Sequence, residues 1–136
     1  TADYANRCDV LGAEIPSAGT MSARGAARLY AALLGQVDGV ELISRPRLNE
    51  IAAPAFSGRD EVMEMPATWA FGYSTFRPAG SRPGSTFGMV GMNGSAAYAD
   101  IDDGVAVAVM RSRFDPNLNA VTTIDRIVSE DLKEER

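Results

Sequence analysis

The chemistry open to this 136-residue chain is bounded by the side chains it lacks. It contains no histidine, so neither a Ser-His-Asp nor a Cys-His arrangement can be assembled within it. Its single cysteine, Cys8, permits no internal disulfide. One Cys without His also argues against zinc or another transition metal. No cofactor is called for, and catalysis would have to use carboxylate, Tyr, Lys or Ser. No Ser is followed three residues later by Lys; the sole lysine, Lys133, has Glu130 at that spacing. Cys8 reads as a buried or half-buried small hydrophobe, because no neighbour in sequence would lower its pKa.

The most informative run is Phe87-Gly88-Met89-Val90-Gly91-Met92-Asn93-Gly94-Ser95. Ala96-Ala97-Tyr98-Ala99-Asp100 and Val105-Ala106-Val107-Ala108-Val109-Met110 follow it. Its small residues keep a strand backbone accessible, and its glycines let a ligand or another chain segment approach an edge. The plainer reading is that Gly88, Gly91 and Gly94 permit bulges and a tight turn. Met63, Met65, Met89 and Met92 have two readings, a flexible apolar pocket or core filling. Asp102 and Asp103 read as a solvated turn, and Asp60, Glu61 and Glu64 as a solvated loop. Trp69, Phe71 and Tyr73 alternate with Ala70 and Gly72 and read as one core-facing aromatic face.

The elements that must position these residues follow from periodicity. Residues 1–19 read as an irregular lead-in. Thr20 or Ser22 can cap a helix whose apolar stripe is Ala23, Ala26, Ala27, Tyr30, Leu33 and Leu34, with Gly35 as its stop. After Val40–Ile43, Ser44 and Pro46 start a second helix with Leu48, Ile51 and Ala52 on its apolar side, and Pro54 ends it. Residues 55–66 read as a loop. Strands are expected from Trp69, over 86–91, over 95–101, and over 105–110 after the Asp102-Asp103-Gly104 turn. The last strand is almost wholly apolar and reads as central, buried on both faces. Residues 77–85 read as a connection. A final helix from Thr122 or Thr123 would use Val121, Ile124, Ile127, Val128 and Leu132 as its stripe, with a fraying end from Lys133. Helices followed by strands predict an α+β class, with helices packed on an antiparallel sheet.

Composition excludes other classes. The net charge of -5 argues against nucleic acid. No apolar run approaches the ~20 residues of a membrane helix, and no secretion leader is visible. These features lean towards a soluble, cytoplasmic chain. It begins with Thr1 and not Met, which suggests a processed or truncated polypeptide.

Taken in order, the motifs resemble serine hydrolases of the β-lactamase and penicillin-binding-protein type, notably β-lactamase-like esterases and class C β-lactamases. The resemblance implies that Met89-Val90-Gly91 occupies the third motif, Lys-Thr-Gly or His-x-Gly, on an edge strand beside the nucleophile. Gly94-Ser95, Ala99-Asp100 and Gly104 keep the expected places. Upstream, the run from Ala13 to Gly19, Thr20 to Arg24, Ala27 to Leu33, Leu42 to Ser44 and Trp69 to Tyr73 match as well. The family's nucleophile is the Ser of a Ser-x-x-Lys motif, helped by a Tyr from Tyr-x-Asn/Ser. Neither is found here, since Tyr4-Ala5-Asn6 lies too near the third motif. The resemblance therefore implies that residues 1–136 are the C-terminal segment of one β-lactamase-like domain whose N-terminal part carries the nucleophile. The Met92 N–H would help form the oxyanion hole. Met89, Val90, Gly91, Asn93, Gly94 and Ser95 would line the substrate. Met89 stands where Lys or His is usual and cannot donate a hydrogen bond, which points to an ester or other acyl substrate over a β-lactam. An acyltransferase, or a degenerate protein that uses the cleft for binding or assembly, is the alternative.

Overall fold

A computed structural model describes residues 3, 6–13, 19–78, 80 and 82–134. The upstream match at 14–18 and the Tyr4-Ala5 pair lie outside them. Among the described residues of the lead-in, Cys8–Leu11 form a helical turn, α1. Cys8 is exposed, so the burial expected for it is corrected. Helix α2 (Ala23–Leu33) starts at Ser22, whose Oγ accepts from the Gly25 N–H at 3.1 Å. It ends as the sequence predicts. Gly35 adopts φ 76°, and the Gln36 and Gly35 N–H groups return to the carbonyls of Ala31 and Ala32, the paired bonds of a left-handed helix stop. Helix α3 (Arg45–Ala52) carries Pro46 in its first turn and buries Leu48 and Ala52. Among the described residues no helix is long and apolar enough to cross a membrane.

Residues 55–66 are not a loop. They form most of an antiparallel hairpin, β1 (Phe56–Asp60) and β2 (Met65–Trp69), with Phe56 opposite Trp69 and Asp60 opposite Met65. Its tip is built by a side chain and not by glycine. Asp60 Oδ1 accepts the N–H groups of Val62 and Met63 at 2.8 Å each, its Oδ2 accepts the Trp69 Nε1–H at 2.8 Å, and Glu64 takes φ 54°. These bonds hold the Asp60 carboxyl below its ordinary pKa. The aromatics after β2 do not share a face. Trp69 ends the strand, Phe71 is exposed on a bend, and Tyr73 enters the core against Tyr30 and Phe87. Burial there pushes the Tyr30 hydroxyl up to about 12.

The main sheet is a meander, β3 (Thr86–Val90), β4 (Ala96–Asp100) and β5 (Val105–Val109), in the order β3-β4-β5. Among the described strands β4 is central and β5 is an edge, contrary to the central position read for β5 from its apolar sequence. Alternation sorts the side chains. Phe87, Ala99 and Ile101 pack with Leu48 and Ala52 under α2 and α3. Ala96, Tyr98 and Val107 pack on the other face with Val121 of helix α4 (Asn119–Glu134). Two helical layers thus enclose an antiparallel sheet, the α+β class predicted. The inward stripe of α4 differs from the one expected. Ile124 and Ile127 are exposed, while Asp125 is fully buried beside Val121.

That burial is explained by an arginine in the connection before β3. Arg77 is 3% exposed. Its Nε donates to Asp125 Oδ1 at 2.9 Å, its Nη1 to Asp100 Oδ2 at 2.9 Å and Asp103 Oδ2 at 2.7 Å, and its Nη2 to Ser129 Oγ at 2.8 Å. Arg82 adds a second guanidinium to Asp100 and Asp103. Asp100 also accepts from Ser85 Oγ at 2.7 Å and Thr86 Oγ1 at 3.0 Å, and Tyr98 donates its hydroxyl to Asp125 at 2.5 Å. Asp103, read from sequence as solvated, is an ion-pair partner. Among the described residues no buried side-chain nitrogen or oxygen lacks a hydrogen bond. Burial alone would raise the pKa of Asp100, but Ser85, the Asp103 N–H, Thr86 and Arg82 outweigh it and hold it below 3.8. Asp103 is lowered likewise, against its own desolvation, by Arg77 and Arg82.

Arg77→Met takes the guanidinium from the buried Asp125 and leaves Asp100 and Asp103 to Arg82; it is expected to destabilise the protein by about 3–5 kcal/mol, measured by urea unfolding, and a loss below 1 kcal/mol would contradict a structural role for the pairings. The sign of the pH dependence follows from the lowered carboxylate values. The unfolded chain binds protons that the folded one refuses, so this stabilisation is complete above the ordinary Asp value of 3.8 and is lost as pH falls through the lower folded values. Urea midpoints between pH 6 and 2 check this, with the wild type losing more than Arg77→Met.

Candidate functional site

The edge of β3 opposite β4 is the candidate site. Register decides which of its backbone groups are free to act. Gly91 donates its N–H to the Ser95 carbonyl at 2.8 Å, on the β4 side. Gly88 faces the other way, pairing its N–H and C=O with Ser74 at 3.0 and 2.8 Å. Alternation turns the backbone of Val90, two residues on, to the same outer edge as Gly88. Gly88 is demanded by packing. It lies opposite Tyr98, and a Cβ built on it would stand 2.4 Å from both the Ala97 oxygen and the Tyr98 Cβ.

The strand ends in a turn closed by the Gly94 N–H on the Gly91 carbonyl at 3.0 Å, with Met92 and Asn93 at its corners. Asn93 Oδ1 accepts the Ser95 N–H at 3.1 Å, a local bond that stiffens the turn. No described residue accepts from the Met92 N–H. Gly94 has φ 76° and is wedged beneath the segment after β5. A Cβ there would meet Asp115 O, Arg111 Nη1 and Asn117 O at 2.5–2.6 Å. Arg111 clamps that segment. Its Nη1 donates to the carbonyls of Asp115 and Asn117 at 3.2 and 3.0 Å, and its Nη2 to Asp115 Oδ2 at 3.1 Å. Its own N–H donates to Ser95 Oγ at 3.0 Å. The Asp115 carboxyl is held below its ordinary pKa, first by the Asn117 N–H and then by Arg111.

A concavity of about 1100 Å³ opens along this edge. Met89, Val90, Gly91 and Met92 form one wall. The β1–β2 hairpin supplies a second, with Met63, Met65, Ala67 and Trp69, and Ser74, Thr75 and Phe76 join it to β3. Phe114, Pro116 and Leu118, from the segment Arg111 clamps, form a third. The four methionines with two sequence readings all reach this one space. Asn93, Gly94 and Ser95 are not among its lining residues; they build the turn behind it. The hairpin wall is hidden in the sequence because the mixed charges and methionines of 55–66 read as a loop. Its signal was the alternation of Met65, Ala67 and Trp69, with Ser57 and Thr68 meeting across the strands at 3.1 Å.

The chain as a whole has counterparts among known proteins. The beta-lactamase family model matches residues 3–131. The chain belongs to the beta-lactamase family. It is 34% identical over 113 residues to the esterase/beta-lactamase LipL of Mycobacterium tuberculosis (strain ATCC 25618 / H37Rv), covering 77% of this chain and 25% of that protein. It thus spans about a quarter of the length of the curated relative it matches. Among solved structures it resembles a penicillin-binding protein homolog from Caulobacter crescentus, at 29% identity and a TM-score of 0.67 over 79% of this chain and 31% of that one. A family VIII carboxylesterase matches at 26% identity and a TM-score of 0.61, over 69% and 26%. EstA from Arthrobacter nitroguajacolicus Rue61a shares the fold, with a TM-score of 0.74 at 20% identity over 94% and 38%. These serine β-lactamase-like relatives bear out the resemblance read from the ordered motifs.

In this beta-lactamase-family chain the β3 turn depends on contacts that leave no room for a side chain at Gly94. Gly94→Ala is expected to cost about 2–4 kcal/mol, from the left-handed backbone and the crowding together. Thermal unfolding checks it, and an unchanged melting temperature would show that the Arg111 segment moves aside freely.

Proposed function

We propose that residues 1–136 form the C-terminal segment of one β-lactamase-like domain in a serine hydrolase that cleaves esters. The nucleophilic Ser and its Lys lie outside this chain. The Ser oxygen adds to the acyl carbonyl as its proton passes to that Lys, the alkoxide leaves and takes up that proton as the alcohol, and water then adds to the acyl-enzyme, returning one proton to the Ser oxygen as the acid is released. The Met92 N–H serves as one oxyanion donor, paired with the nucleophile's own N–H. Such preorganised donors contribute about 3–4 kcal/mol to the transition state. Met89, Val90 and Gly91 line the substrate.

The observation that carries this reading is the β3 edge itself. Its inner backbone groups are bonded to β4, while Val90 and Met92 border the open concavity. The esterase and β-lactamase names of the relatives support the same chemistry. The substitution of Met for the usual cation or donor at 89 favours esters over β-lactams, since a thioether offers nothing to a carboxylate.

The full-length protein is expected to turn over a chromogenic ester and to lose about a thousandfold or more of that rate when the Ser of its Ser-x-x-Lys motif becomes Ala. Absence of such a Ser upstream ends the proposal. Met92→Pro offers a second test, because proline is tolerated at the first corner of a turn yet has no N–H. It is expected to lower kcat by about 10²–10³; an unchanged kcat removes Met92 from the oxyanion hole. The 136 residues alone are expected to show no hydrolysis.

Met89 also favours one other reading, a degenerate relative that binds in the old cleft without turnover. A serine-directed phosphonate separates the two. Covalent labelling of the intact protein excludes the binding-only reading, and its absence excludes the hydrolase.

A further inference from the structure

The corner that carries the Met92 N–H stands out from the body of the protein, with Met92 78% exposed. The bonds within the turn, from the Gly94 N–H to the Gly91 carbonyl and from the Ser95 N–H to Asn93 Oδ1, set its shape. They do not set where it stands over the end of β3. Its outside support is at Gly94, which is buried against Arg111 Nη1 and the carbonyls of Asp115 and Asn117. The segment that forms this seat has no ladder of its own. Residues 111–117 belong to no helix or strand and make no backbone–backbone hydrogen bond to any described residue. Two bonds there are local, from the Asn117 N–H to Asp115 Oδ1 and from the Asn119 N–H to Asn117 Oδ1. Arg111 supplies the ties that reach further. Its backbone N–H donates to Ser95 Oγ, next to Gly94, while its guanidinium gathers the Asp115 carbonyl, the Asn117 carbonyl and the Asp115 carboxylate. A planar fork of donors suits several acceptors at once, and its charge strengthens each bond.

We propose that Arg111 is a positioning residue for the oxyanion donor. It holds the 115–117 segment against Gly94 and so fixes the Met92 N–H two residues earlier. This role rests on the hydrolase reading above and adds to it a residue remote from the reacting atoms. A donor stabilises developing charge most when it is aimed beforehand, and a misplacement of about 1 Å can cost about a hundredfold in rate. Arg111 is not among the residues lining the concavity. Its loss reaches the substrate through the turn, or through Phe114, Pro116 and Leu118, which the same segment carries to the concavity. The two routes differ in kinetics, since the turn acts on the transition state and the wall on binding.

The test uses the full-length protein with p-nitrophenyl butyrate, rates being counted per site titrated to completion by the phosphonate. Arg111→Ala is expected to lower kcat about 10–100-fold with KM changed less than about threefold. The oxyanion forms in acylation and in deacylation, so kcat falls whichever is slower. Added to Met92→Pro, Arg111→Ala is expected to lower kcat by less than about threefold more, because it acts through an N–H already gone. Asp115→Asn is the milder variant if Arg111→Ala folds poorly. Its side chain keeps an oxygen for the Asn117 N–H but sets an amide NH2 against Arg111. It is expected to lower kcat about 3–10-fold alone and not at all beside Met92→Pro. Unchanged kcat in both variants overturns the proposal. So does a raised KM alone, which would confine Arg111 to shaping the wall, and so does full additivity with Met92→Pro. An unchanged kcat in Met92→Pro itself overturns it too. Each of these leaves the hydrolase reading intact. No turnover of any ester and no phosphonate labelling defeats both readings together.

Discussion

One buried guanidinium holds the layers in register. Arg77 reaches a strand through Asp100, a turn through Asp103 and a helix through Asp125 and Ser129. Removing those charges from water carries a desolvation penalty of several kcal/mol per ion. It is offset only because each oxygen and N–H finds a partner and because Arg82, Ser85, Thr86 and Tyr98 fill the remaining valences. The planar fork of arginine suits this task where a lysine ammonium would not. The pairings fix the start of β3 against β4. They thereby fix the phase of the strand, and so which of its backbone groups face the open edge.

Much of the frame was legible because it is local. The alanine stripe of α2, its Ser22 cap and its Gly35 stop lie within one helix length of each other. The Asp102-Asp103-Gly104 turn and the meander on either side of it follow from alternation. The role of Asp103 was not legible, since its partners Arg77 and Arg82 are 26 and 21 residues away. Nothing short of the fold brings them together. A longer separation, 48 residues from Arg77 to Asp125, hid the inward face of α4, where a carboxylate occupies a position that periodicity reserves for an apolar residue. The β1–β2 hairpin was missed because its turn depends on the Asp60 side chain and a left-handed Glu64, not on the Asn-Gly or Asp-Gly pair that usually announces one.

The candidate site was legible in a different way. The strand and turn from Phe87 to Ser95 could be named from glycine spacing and family resemblance. Which residues of that run meet the concavity could not. The structure divides the run, with Met89 to Met92 at the concavity and Asn93 to Ser95 behind it. The division follows from the Gly91–Gly94 turn and from Arg111, which draws the following segment over Gly94. The apolar character of the space was implicit in four methionines of undecided role, which the structure brings to one concavity.

The buried network also bears on the lifetime of the folded state. The β3-β4-β5 meander closes through neighbouring hairpins, whereas the bonds from Arg77 to α4 span 48 and 52 residues. Contacts of such separation are entropically slow to close, so they are expected to form after the meander and to be absent from the folding transition state. Their energy then lies on the unfolding barrier. The network would act as a latch, one that sets how long the chain stays folded more than how quickly it gets there. A variant of Arg77 that slowed refolding without speeding unfolding would refute that ordering.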